Sequence, residues 1–78
     1  MEFRLKVPEQ VIREWQTDSN GMEAPDLLND AMKLFNWAVM ESKEGRVIQS
    51  TDDLGQNAAR VHLPSLERIA QRNIDTAA

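Results

Sequence analysis

Glu2-Phe3-Arg4-Leu5-Lys6-Val7-Pro8-Glu9-Gln10-Val11 is the stretch on which the fold turns. Phe3, Leu5 and Val7 alternate with Glu2, Arg4 and Lys6, and alternation with a period of two marks a strand with one apolar face. Pro8 stops that strand and opens a helix, because proline loses no needed N–H in the first helical turn. Glu9 follows where a carboxylate suits the helix dipole. Val11, Ile12 and Trp15 then form a narrow apolar stripe. Thr17-Asp18-Ser19-Asn20-Gly21 ends the short helix, with Gly21 able to adopt a left-handed conformation.

Working outward, a second helix is expected from near Pro25 and Asp26 to about Glu44, with Gly45 as its C-terminal stop. Leu27, Leu28, Ala31, Met32, Leu34, Phe35, Trp37, Ala38, Val39 and Met40 are too many for one face of it. In so short a chain the surplus needs a cover, and a second subunit is the simplest one. Arg46 to Ser50 has strand character, Asp52 to Asn57 has turn chemistry, and Ala59 to Leu63 reads as the returning arm of a hairpin. Pro64 and Ser65 begin a short helix with Leu66, Ile69 and Ala70 on one face, and Asn73 to Ala78 is expected to fray.

The chain has 78 residues, which bounds it to one small domain at most. No cysteine and a single histidine, His62, leave neither a disulfide nor a thiolate or histidine metal site to stabilise it. Oligomerisation is then the natural stabiliser for a chain of this size. No apolar run approaches a membrane span and no signal-peptide core is present, so the expected location is cytoplasmic. The net charge is -4. Residues 1–45 hold five Lys/Arg against nine Asp/Glu, and residues 46–78 hold four of each. Any surface for nucleic acid must therefore be a local basic patch on an acidic body.

Several candidate groups have ordinary structural readings. Arg4 and Lys6 suit the solvated face of a strand. Trp15 and Trp37 are core or interface anchors before they are ligand stackers. Asp52-Asp53 lacks the alternating oxygen ligands of a calcium loop and reads as a turn. His62 has no cysteine and no second histidine with which to build a catalytic set. The three glycines are isolated, so no phosphate-binding loop exists. No catalytic residue, cofactor or metal is expected.

The opening stretch, followed at a fixed spacing by Gly21-Met22-Glu23-Ala24-Pro25-Asp26-Leu27-Leu28, resembles the ribbon-helix-helix family of Arc/MetJ-type repressors over residues 2 to about 48. The resemblance implies a mostly α fold with short strands, built as a homodimer whose N-terminal strands pair into a ribbon. Residues 1–45 would form that core and residues 46–78 a C-terminal extension of hairpin and short helix. It implies that the ribbon enters the major groove of double-stranded DNA with Glu2, Arg4 and Lys6 outward. The backbone of Met22, Glu23 and Ala24 would hold phosphate. Phe3, Leu5, Val7, Leu28, Phe35 and Trp37 would form the dimer interface.

The expected function is a sequence-specific transcriptional repressor acting as a homodimer, and not an enzyme. The alternative is an antitoxin, or a small acidic module on the same fold that binds and inhibits a protein partner. Its support is the net charge of -4, the acidic start of the second helix and a structured C-terminal extension as the contact surface. If the N-terminal strand does not pair with its twin, it could instead join the hairpin at 46–63.

Overall fold

The computed structural model describes Glu2 and residues 4–77, with the backbone alone for 73–77. In chain order the elements are α1 (Glu9–Asp18), α2 (Ala24–Lys43), β1 (Gln49–Ser50), β2 (Ala59–Arg60) and α3 (Pro64–Ala77). Two compact units divide within α2, one of residues 1–33 and one of residues 34–78.

The first unit corrects the strand-helix-helix expectation. Residues 4–8 form no strand, and among the described residues the sheet consists of β1 and β2. Among the described residues there are thus three helices and a short antiparallel hairpin in mid-sequence, not an N-terminal strand ahead of two helices. The physical reason is that alternation marks a chain as suited to a half-covered surface, whereas a strand also needs a neighbouring backbone to complete its ladder. Leu5, expected inward, is 77% exposed, and Val7 is half-buried. Phe3 lies outside the described residues.

After this stretch Pro8 caps α1, and its carbonyl accepts the N–H groups of Val11 and Ile12 at 3.0 and 3.3 Å. Glu9 and Arg13 form an ion pair one turn apart. At the far end, the N–H of Gly21 donates to the Gln16 carbonyl at 2.7 Å and that of Asn20 to Thr17 at 3.1 Å. This is the paired closure in which a left-handed residue satisfies the last carbonyls of a helix. Asn20, with φ 61°, takes the left-handed position just after the helix, and Gly21 follows with φ 94°. Val11, Ile12, Leu27 and Leu28 are half-buried, and no described side chain of this unit is buried.

The second unit holds the buried side chains found among the described residues: Ala38, Ser42 and Leu66. The C-terminal end of α2 closes as α1 does. Gly45 has φ 76°, its N–H donates to Ser42, and the N–H of Arg46 donates to the Glu41 carbonyl at 3.0 Å. The side chains of those last two residues also pair, Nε to Oε2 at 2.9 Å. The hairpin aligns Gln49 with Arg60 and Ser50 with Ala59. One further bond, from the Val61 N–H to the Ile48 carbonyl at 2.8 Å, extends it. The ladder is much shorter than the alternating segments that suggested it. The last helix is longer than expected, continuing to Ala77.

Candidate interaction surface on α2

Within the second unit, α2 leaves large apolar side chains exposed. Ala31 through Trp37 are seven consecutive exposed residues, five of them apolar. Met32, Leu34, Phe35, Trp37 and Met40 are each between 45% and 65% exposed. An amphipathic helix normally confines such side chains to one stripe against its own core. Here the stripe that is used, Ala38 and Ser42 with half-buried Val39 and Glu41, accounts for only the C-terminal part of the helix.

Phe35 and Trp37, expected at an interface, belong to this open region, whereas Leu28 is half-buried. Met32, Leu34 and Met40, counted among the surplus apolar positions in the sequence but not assigned to an interface, are further members. The signal for them was present, since the apolar run exceeds one face, but periodicity alone does not say which residues are left over.

The residues expected to meet DNA lie elsewhere. Glu2, Arg4 and Lys6 are exposed on the irregular N-terminal stretch. Met22 and Glu23 are exposed before α2, and Ala24 is its half-buried first residue. The Glu23 carbonyl accepts the N–H groups of Asp26 and Leu27, both at 3.1 Å. Proline at position 25 has no N–H to offer, and Asp26 adds a negative charge in the first turn. An anion therefore meets fewer donors and a repelling carboxylate at this helix start.

The hairpin loop is organised by one carboxylate. Asp52 Oδ1 accepts the N–H groups of Leu54 and Gln56 at 3.0 and 2.7 Å, and Oδ2 accepts the Asn57 amide at 2.9 Å. The bond from Gln56 is the main cause that holds the Asp52 carboxyl below its ordinary pKa. Desolvation is the next largest influence and works against it, and the Asn57 and Leu54 bonds add to the lowering. Asp53 is not part of this set, and of the two carboxylates Asp52 alone accepts the loop's hydrogen bonds. Among the described residues no group of three or more acidic, histidine or cysteine side chains could hold a metal.

No described helix is long and apolar enough to cross a membrane. No protein-family model, curated protein or solved structure matches the chain.

Proposed function

We propose that this chain is a small protein-interaction module that works as an assembly of its own copies, joined through the apolar middle of α2. The observation that carries this is the set of Met32, Leu34, Phe35, Trp37 and Met40, all substantially exposed on one helix. Large apolar side chains left in water on a small protein point to a partner site, because their exposure forgoes the hydrophobic contribution of burial.

The charges along α2 favour a second copy as that partner. Asp26 and Asp30 lie toward its N-terminus and Lys43 ends it. Two such helices aligned antiparallel about the Leu34–Phe35 junction bring Asp26 of one copy level with Lys43 of the other. The same alignment sets Met32 level with Trp37 and opposes the helix dipoles.

Sedimentation equilibrium across the micromolar range tests this. The wild type should show mass above that of a single chain, and the double variant Leu34→Glu with Trp37→Glu should be monomeric. A wild type that stays monomeric throughout would sink the reading.

A DNA-binding regulator is the second reading, and one observation favours it. Arg4 and Lys6 are exposed on a stretch without regular structure, and neither forms an ion pair among the described residues. A basic arm of that kind can follow phosphates or enter a minor groove, without a paired ribbon. On a chain with a net charge of -4, such binding needs a local basic stretch. In gel shifts at low salt, Arg4→Ala with Lys6→Ala should abolish binding to duplex DNA. Equal shifts by wild type and double variant would exclude the arm as the contact.

A further inference from the structure

A cavity of about 270 Å³ lies wholly within the second unit, lined by the end of α2, the hairpin and the start of α3. That is near the lower end of the sizes used for small-molecule sites. Its apolar lining includes Ile48, Val61, Leu66 and Ala70. Four ionisable side chains line it as well: Arg46, Arg60, His62 and Glu67.

Three of those four already have partners. Arg46 is held by Glu41 at 2.9 Å, and His62 Nδ1 lies 2.9 Å from Glu67 Oε1. Arg60 forms no ion pair among the described residues. It sits on β2 opposite Gln49, a neutral residue that neither repels nor neutralises it. The cavity therefore combines a guanidinium that has no ion-pair partner among the described residues with a lining that is apolar on one part and polar on another.

We propose that this cavity binds a small organic carboxylate, with its single charge on Arg60 and a short branched or aromatic body against Ile48, Val61 and Leu66. A guanidinium presents two parallel N–H donors that match the two oxygens of a carboxylate. The apolar lining selects against inorganic phosphate, which has no surface to place there. One free cation selects a monoanion over a polyanion. Arg60 fixes orientation, and the hydrophobic wall supplies the discrimination by size.

The test is a titration of the full chain, followed by backbone amide NMR, with isovalerate, isovaleramide and inorganic phosphate as probes. Isovalerate should give saturable shifts concentrated at residues 46–48, 60–62 and 66–71. Isovaleramide, equal in shape but uncharged, should bind about tenfold more weakly or worse, as expected when a charge-assisted hydrogen bond is lost. In Arg60→Gln, whose preserved hairpin signals would report folding, the two probes should become equivalent. Arg60→Lys should retain only part of the preference, since it keeps the charge and loses the fork. Non-saturating shifts, an unchanged preference in Arg60→Gln, or phosphate binding as tightly as isovalerate would each overturn the proposal.

Discussion

Asp52 shows how much one side chain organises in a chain with so little interior. Its two oxygens gather three donors from the next five residues, while Gly55 and Asn57 take positive φ values of 76° and 56° to make that possible. Asp52→Ala should therefore loosen the hairpin, seen as faster amide exchange at Gln56 and Val61, while Asp53→Ala should leave those rates unchanged. The acid dependence has a definite sign. The folded carboxyl titrates below its ordinary value of 3.8, so its contribution is fully present above that value. It is lost as pH falls further, through the folded pKa. Amide exchange or Cα shifts across 49–60 should track that loss in wild type and not in Asp52→Asn. A hairpin whose acid response is the same in both proteins would deny Asp52 this role. Residue types made the turn legible, because aspartate, glycine and asparagine cluster there. They did not show which of two adjacent aspartates would be the acceptor, which depends on backbone direction.

Element ends were more legible than element partners. Pro8 and Gly45 act where proline and glycine are expected to act, as the opening of α1 and the stop of α2. These signals are local, set by a missing N–H or a permitted φ. Gly45→Ala should cost about 1 kcal/mol through the forced left-handed conformation, read as a lower urea midpoint with an unchanged slope. No loss of stability would mean that the end of α2 rearranges freely, and that the closure by Arg46 onto Glu41 contributes little. The N-terminal stretch failed as a strand for the opposite reason. Phe3, Leu5 and Val7 satisfy the pattern, yet pairing is a property of two segments, and nothing in six residues specifies the second. The hairpin illustrates the same point from the other side. Its arms are a weaker alternation than residues 2–7, but a compact loop holds them within reach of each other.

For the molecule as a whole, the open apolar side chains of α2 and the scarcity of buried ones belong to one problem. Among the described residues only Ala38, Ser42 and Leu66 are buried, while five large apolar side chains on α2 stay substantially exposed. Small chains without disulfides or metals have little hydrophobic area to offset the entropy of ordering, and association is the remaining way to bury more. The surplus of apolar residues in 27–40 was visible in the sequence, and so was the need for a cover. Which face would be left open was not, because that depends on where the rest of the chain packs. If copies assemble through α2, unfolding is coupled to dissociation, and thermal stability must rise with protein concentration. For a dimer of chains this size, a tenfold increase in concentration should raise Tm by roughly 3–6 °C. In Leu34→Glu with Trp37→Glu that dependence should vanish, with Tm at or below the wild-type value at high dilution. A wild-type Tm independent of concentration would mean that α2 keeps its apolar middle in water, and that a single chain is stable without the cover proposed for it.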